Sequence, residues 1–337
     1  MLIDSRQVFA INDLLIARAM PSGQIKLQKE RSVDVRKCLQ FSNFTAVGPE
    51  GVLRDGRQLI DPMQLSYDRI RDRVSKWYRQ PNSEQEMENQ ILLAGKNFSS
   101  EGHFVYQHVP RLLTLMREYS VTPDKWTLLV NPKHGPDTTK WLSNYGLPEF
   151  KVKELSKSSR LFSGLYCSMP RSYTDSVNEI DLRVWGNAEN TTKSLLDSVV
   201  FVTRGKKAKR KILNEPQLIG ALLKRAPNLQ IIDYSTQQFV HLKTIIKSAT
   251  LIVGASGMGL SPSVMNRQAS MFVLGNKYHP FNWHTRFAIP AAFSGNIAAT
   301  LNARSADAPY GYHDDFDYPV ELFTAQLDQL IGLATQR

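Results

Sequence analysis

The chain has 337 residues, of which 42% are hydrophobic, and its formal net charge is +11. This length is typical of two domains of about 150 residues each, and the hydrophobic fraction is large enough for sizeable cores. The positive charge favours a partner with negative charge, such as a phosphorylated substrate, an anionic lipid or a nucleic acid. No sequence signature of RNA or DNA binding accompanies the charge, which argues against nucleic acid.

The two cysteines, Cys38 and Cys167, lie far apart in the sequence and have no spacing typical of a metal site. We therefore expect no metal, and reduced thiols as in a cytoplasmic protein. The first 20 residues mix apolar side chains with charged ones such as Asp4 and Arg6. For this reason we expect neither a signal peptide nor a membrane-spanning segment there.

The first half of the chain predicts an α/β domain. Residues 1–60 predict short strands and loops, and the polar residues 62–90 predict a solvated helix and a loop, or a basic surface for an anionic membrane. Further on, a βαβ pattern predicts, in order, a strand from Ile91, a helix that starts or kinks at Pro110, a strand at Trp126–Val130, a helix at Thr138–Tyr145 and strands at Phe150–Val152 and Leu165–Met169. We place a boundary between two domains, 1–175 and 176–337, in the turn-rich segment that follows.

His103 lies at the end of a glycine-containing loop, just before the first of these helices. That position suits a side chain facing a cleft, and it equally suits a histidine bonded to the local backbone.

The second half of the chain predicts a doubly wound parallel sheet, because apolar strands and amphipathic helices alternate there. In order, the predicted elements are a strand at Val199–Thr203, a helix at Asn214–Arg225 with Asn214 as N-cap, a strand at Leu229–Asp233, a helix at Thr236–Ser248, a strand at Leu251–Val253, a short helix within Met258–Asn266, a strand at Met271–Leu274 and a C-terminal helix within Asp317–Thr335.

Two loops of the second half carry chemistry that suits a phosphate. The basic loop Arg204–Lys211 follows the first strand, and the glycine turn Gly254–Gly259 follows the third. Both are expected at the carboxyl edge of the sheet, where ligands of such folds bind. Glycines let the backbone approach a ligand, and a helix start offers free N–H groups. The sequence therefore predicts a phosphate or diphosphate site, with a plain tight turn and a solvated loop as the alternative.

These segments resemble the glycosyltransferase family 61 domain. The resemblance rests on VFVTR at residues 200–204, RKILNE at residues 210–215 and ATLIVGASGMGL at residues 249–260. Upstream, His103 and the Pro-Arg-Leu sequence at residues 110–112 keep the family's spacing.

Three positions depart from the family pattern. Ser256 stands where the family has a histidine, Gln107 stands where it has an acidic residue, and the acidic residue that commonly ends the last strand is replaced near Gly275.

The resemblance implies a GT-B fold, in which two Rossmann-like domains with parallel sheets face a cleft. The N-terminal domain would be on the acceptor side and the C-terminal domain would bind a nucleotide sugar. The implied activity is metal-independent, inverting transfer of a sugar to an oligosaccharide or lipid-linked glycan in the synthesis of capsule or other surface polysaccharide. We accordingly expect a cytoplasmic protein, peripheral at the inner face of the membrane if its acceptor is lipid-linked.

Within this interpretation, His103 is the candidate base, because imidazole titrates near neutral pH, and Glu101 is the reserve. Stabilisation of the departing diphosphate is assigned to a set of cations and N–H groups: Arg204, Lys206 and Arg210, with the backbone near Ser256, Gly257, Met258 and Gly259. Asn214 and Glu215 either bind the donor or simply begin a helix.

Two other functions fit the sequence. A polysaccharide pyruvyltransferase also pairs two Rossmann-like domains, but would use phosphoenolpyruvate instead of a nucleotide sugar. A catalytically degenerate, glycan-binding protein would account for the departures at Ser256, Gln107 and Gly275.

Overall fold

A computed structural model describes residues 89–93, 100–155, 158–167, 194–205, 211–234, 239–266, 269–276, 298–303 and 315–335, and, within residues 1–60, the strands alone. The helix predicted within residues 62–90 and the predicted boundary near residues 171–178 lie essentially outside the described residues.

The strands of the described residues are, in chain order, β1 (Val8–Ala10), β2 (Leu14–Ala19), β3 (Ile25–Glu30), β4 (Val33–Val35), β5 (Cys38–Val47), β6 (Val52–Asp55), β7 (Gln58–Ile60), β8 (Gln90–Leu92), β9 (Thr127–Val130), β10 (Lys151–Glu154), β11 (Ser158–Cys167), β12 (Val199–Thr203), β13 (Gln230–Asp233), β14 (Leu251–Ala255), β15 (Ser270–Asn276) and β16 (Ala298–Ala303).

The helices of the same residues are α1 (Glu101–His103), α2 (Val109–Tyr119), α3 (Gly135–Asn144), α4 (Glu215–Leu223), α5 (Phe239–Ser248) and α6 (Val320–Thr335). A π-helical turn, Phe104–His108, joins α1 to α2, and a 3-10 segment, Met258–Met265, follows β14. The helix predicted to start or kink at Pro110 is thus one helical run in which α2 begins beside that proline. None of the described helices is long and apolar enough to cross a membrane.

The chain divides into two compact units. Unit 1 comprises Met1–Ala10 and Val33–Val184, and unit 2 comprises Ile11–Ser32 and Trp185–Arg337. A segment from the beginning of the chain therefore belongs to the unit formed by its second half. The assignment of acceptor and donor roles to two domains stays a prediction.

Unit 1 contains a seven-stranded sheet with the order β10-β9-β8-β11-β5-β6-β7. The first four strands are parallel to one another, and β11, β5, β6 and β7 are antiparallel neighbours. The strands β8, β9 and β11 and the first helical run bury Ile91, Leu128, Leu165 and Leu112 almost completely. Helices thus accompany the parallel half, as predicted for an α/β fold.

Unit 2 contains a second seven-stranded sheet with the order β13-β12-β14-β15-β16-β2-β3. All neighbouring pairs are parallel except β2 and β3. One hydrophobic cluster joins the sheet to α4 and α6, and within it the rings of Phe272 and Phe323 stack with centroids 5.2 Å apart. The predicted α/β class, with parallel strands and intervening helices, is confirmed.

Candidate functional site

The order of the strands in unit 2 defines where a ligand of such a sheet binds. From β12 the chain passes through α4 to β13 on one side, whereas β14 lies on the other side of β12 and continues to β15. Connections thus leave β12 and β14 in opposite directions, which creates a crevice at the carboxyl ends of these two strands. The two loops predicted to bind phosphate begin at this crevice.

Arg204 bridges the two strand ends. It directly follows β12, and its Nη1 donates a hydrogen bond of 2.8 Å to the carbonyl oxygen of Ser256, which directly follows β14. A Cβ atom at Gly257 would collide with Nη1 of this guanidinium. Only glycine at this position therefore allows Arg204 to lie against the turn.

Ser256 contributes a buried hydroxyl group to the same turn. The residue is only 2% exposed, and within the described part of the chain its Oγ has no hydrogen-bond partner. The 3-10 segment begins two residues later, so its first N–H groups have no partner within the segment. The site thus combines a fixed cation, a buried hydroxyl and backbone donors, which is the chemistry that binds a phosphate.

Glu215 lies at the same edge of the sheet as the first residue of α4. Burial raises the pKa of its carboxyl group above the ordinary value, a hydrogen bond with the Thr203 side chain lowers it, and the charge of Asp233 raises it. Thr203 and Asp233 are the last residues of β12 and β13. The crevice therefore has an acidic part beside the basic one.

Asn214 occupies the N-cap position of α4 but does not cap it in the way the sequence predicted, since its side chain makes no hydrogen bond to the helix start. Its Nδ2 donates to the carbonyl oxygen of Tyr318 at 2.7 Å, and its Oδ1 accepts from the Tyr318 N–H at 2.9 Å. The Asn214 amide thus fastens α4 to the segment that leads into α6.

The remaining predicted phosphate ligands are described in part. Lys206 and Arg210 lie outside the described residues, as does the side chain of Met258. Gly259 is the second residue of the 3-10 segment and lies near Val202, where an added Cβ would be 3.4 Å from Cγ1.

In unit 1, Glu101 and His103 both lie in α1, where both are half-buried. The helical run therefore places the candidate base and its reserve within one turn. His103 is also close enough to His108 for its charge to lower the pKa of that imidazole.

The sequence analysis gave no role to a buried polar pair behind this segment. Arg111 is fully buried, and it donates from Nη2 to the Leu92 carbonyl at 2.8 Å and from Nη1 to the Leu93 carbonyl at 3.0 Å. Nη1 is also 3.1 Å from Nδ1 of His108. Burial, followed by the Arg111 charge, lowers the pKa of His108 well below its ordinary value. A neutral His108 thus accepts from Arg111, and the pair fastens the end of β8 to the helical run that carries His103.

The start of α3 already holds a negative group. One carboxylate oxygen of Glu154 accepts from the Lys133 N–H at 2.8 Å, and the other accepts from the Gly135 N–H at 2.9 Å. A phosphate would compete with this carboxylate for the same donors, so the crevice of unit 2 is the better candidate for the predicted diphosphate site.

These features define an α/β protein whose sheets contain parallel strands, with an arginine, a buried hydroxyl group and backbone N–H groups at the carboxyl edge of one sheet. The profile of the glycosyltransferase 61 family matches residues 102–273, just over half of the chain. The chain therefore belongs to the glycosyltransferase 61 family, which suggests glycosyltransferase activity. No curated protein sequence matches it.

Proposed function

We propose that the protein is an inverting glycosyltransferase that moves a sugar from a nucleotide-sugar donor to a glycan acceptor in the synthesis of surface polysaccharide. Membership of the glycosyltransferase 61 family supports the transferase activity. The observation that carries the donor part is the Arg204 guanidinium, which lies against Gly257 beside the buried Ser256 hydroxyl.

The proposed role of this crevice is to bind the diphosphate and to stabilise it as it leaves. Negative charge grows on the diphosphate as the bond from the anomeric carbon to the phosphate oxygen breaks. Arg204 and the N–H groups of Gly257–Gly259 are fixed before the reaction, and such preorganised donors typically contribute about 3–4 kcal/mol each to lowering the barrier. Lys206 and Arg210 follow in the same basic loop, and we assign them the same role in place of a divalent metal.

In the proposed mechanism, His103 takes the proton from the acceptor hydroxyl group. The acceptor oxygen forms its bond to the anomeric carbon while the donor phosphate leaves with the bonding electron pair, so the configuration inverts in a single displacement. Glu101, in the same helix, is the second candidate base.

The same proposal includes the arrangement of the domains, the location and the acceptor. We propose a GT-B arrangement of two Rossmann-like domains, a cytoplasmic location peripheral to the membrane, and an oligosaccharide or lipid-linked glycan as acceptor. The net charge of +11 supports a position at an anionic membrane surface.

A thermal-shift screen of UDP, GDP, CMP, TDP and their sugar conjugates, with phosphoenolpyruvate beside them, tests this proposal. A ligand at 100 times its Kd stabilises the folded state by about 2.7 kcal/mol, so we expect one nucleotide class to raise the Tm. Arg204→Ala should weaken the binding of that nucleotide about 10- to 100-fold, because a charged hydrogen bond is lost. His103→Ala should abolish transfer and leave nucleotide binding intact.

Two glycine variants provide a matched comparison. Gly257→Ala should displace the Arg204 guanidinium and weaken the binding of the same nucleotide. Gly220→Ala should leave nucleotide binding unchanged, because a Cβ added at this position in α4 meets nothing within 4 Å. Stabilisation by phosphoenolpyruvate alone would indicate a pyruvyltransferase. The absence of any shift would indicate a glycan-binding protein without catalysis.

A further inference from the structure

The two cysteines of the chain are brought together by the pairing of β5 with β11. Cys38 is the first residue of β5, Cys167 is the last residue of β11, and the two residues are register partners in the antiparallel ladder. They lie 129 positions apart in the sequence, and the chain has no other cysteine. The structure therefore places its only two thiol-bearing residues opposite each other.

The geometry of an antiparallel pair is compatible with a disulfide bond. Residues directly opposite each other share a face of the sheet, and their Cα atoms are about 4.5 or 5.5 Å apart, depending on the type of pair. Disulfides join residues whose Cα atoms are about 4.4–6.8 Å apart. No rearrangement of the two strands is therefore needed for the bond to form.

The length of the ladder supports this register. The antiparallel register runs from Ser158 opposite Val47 to Cys167 opposite Cys38. A slip of one residue would move every side chain of β11 to the other face relative to its partners. The cysteine pair is thus specified by the whole ladder and not by its terminal residues alone.

We propose that Cys38 and Cys167 form a redox-sensitive disulfide site. In a reducing compartment the pair stays a dithiol, in agreement with the cytoplasmic location proposed above. A small-molecule disulfide such as oxidised glutathione converts the pair in two exchange steps: one cysteine thiolate attacks the oxidant and releases a first glutathione thiolate, and the other cysteine thiolate then attacks the mixed disulfide and releases a second. The products are the Cys38–Cys167 bond and two molecules of the reduced small thiol, which take up the two protons that the cysteines lose.

Oxidation should stabilise the protein, because the bond closes a loop of more than 100 residues. Long loops give the largest entropic effect on the unfolded chain. We expect the oxidised protein to have a Tm about 5–10 °C above that of the reduced protein. The bond would also fasten β5 to β11, the strand that pairs with β8.

The test incubates the full chain with oxidised glutathione or with dithiothreitol, blocks free thiols with iodoacetamide, and maps unreduced peptides by mass spectrometry. We expect a peptide pair joined through Cys38 and Cys167, a monomer on a non-reducing gel, and the rise in Tm. Cys38→Ser and Cys167→Ser should each lose the bond and the rise.

A variant with one cysteine shifted by one residue tests whether the bond requires the observed register or only two nearby cysteines. The double variant Cys38→Ser with Leu39→Cys places a cysteine one residue away, opposite Tyr166 instead of Cys167, and therefore on the other face of the sheet. We expect it to form the intramolecular bond at least about tenfold more slowly. Equal rates for the two proteins, bonds only between chains, or persistent glutathione adducts on the wild type would each overturn the proposal. None of these outcomes depends on glycosyltransferase activity.

Discussion

We expect removal of the Ser256 hydroxyl group to have opposite effects on the stability of the fold and on the binding of a nucleotide. A buried hydroxyl group without a partner costs about 1–3 kcal/mol of folding free energy. Ser256→Ala should therefore raise the free energy of unfolding, by about 1 kcal/mol, as measured by urea denaturation. If Ser256 binds the phosphate as proposed, the same change should weaken nucleotide binding about tenfold, measured by calorimetry, because the proposed hydrogen bond is lost.

Ser263 provides the matched control, because it is equally buried and lies in the 3-10 segment that follows. Its Oγ donates to the Leu260 carbonyl at 2.6 Å, so Ser263→Ala should lower the free energy of unfolding by about 1 kcal/mol and leave nucleotide affinity unchanged. If Ser256→Ala destabilises the protein as Ser263→Ala does and binds nucleotide normally, Ser256 has no role as a ligand.

At the scale of single residues, the sequence predicted the positions of those residues that directly follow a strand. Arg204, Ser256 and Gly257 could be placed at one edge because strong strand signals precede them, and parallel strands share that edge. The partners of Arg111 and Asn214 could not be predicted in this way. Arg111 bonds to carbonyl groups 18 and 19 residues away, and Asn214 to a residue 104 positions away, and no local pattern encodes such pairs.

At the scale of elements, Glu154 in β10 caps the N-terminus of α3, a helix that precedes it in the sequence. Its carboxylate, at the end of β10, accepts two N–H groups at the start of α3, where the N-cap residue His134 makes no side-chain cap. Glu154→Gln removes the negative charge that suits a helix N-terminus. We expect it to lower the free energy of unfolding by about 0.5–1 kcal/mol at pH 7 in low salt.

The pH dependence of this effect follows from the pKa of Glu154. Hydrogen bonds from the Lys133 and Gly135 N–H groups lower the pKa of the carboxyl group, so the unfolded state binds the proton more tightly. The contribution is complete above the pKa of an unfolded glutamate, about 4.3, and is lost as the pH falls through the lower folded value. The difference between wild type and Glu154→Gln in urea denaturation should therefore vanish in acid. Glu149→Gln, at an exposed glutamate five positions earlier, should show no such difference.

Helices and strands were predicted well where the apolar residues of the local sequence recur with a single period. Val199–Thr203 was predicted to the residue, and α3, α4 and α5 within three residues at each end, because apolar spacing and strong terminal signals agree there. The stretch after Gly257 was predicted as a short helix and is a 3-10 segment with Pro262 inside it. A proline removes one backbone donor and disfavours a regular α-helix, so the sequence specified a turn there but not its type.

For the whole molecule, the sequence could not assign the first strands to their sheet. The strand β2 pairs in parallel with β16, although Ile16 and its register partner Ala298 lie 282 positions apart, and β3 then forms the outer strand of the second sheet. Short strands of residues 1–60 were predicted, but their partners depend on backbone hydrogen bonds and not on a local period. The division at residue 175 therefore separates two strands from the unit they belong to.

This topology predicts how fragments of the chain behave. A fragment of residues 176–337 contains β12–β16 but lacks β2, so β16 becomes an exposed edge with unpaired N–H and C=O groups. We expect this fragment to self-associate in analytical ultracentrifugation and to unfold with lower cooperativity than the intact chain. Joining residues 11–32 to it through a flexible linker should restore a monomer, because β2 covers β16 and β3 lies beside α6. The control carries the same linker with residues 11–32 in scrambled order; monomers from both fragments would show that the edge of β16 needs no partner strand.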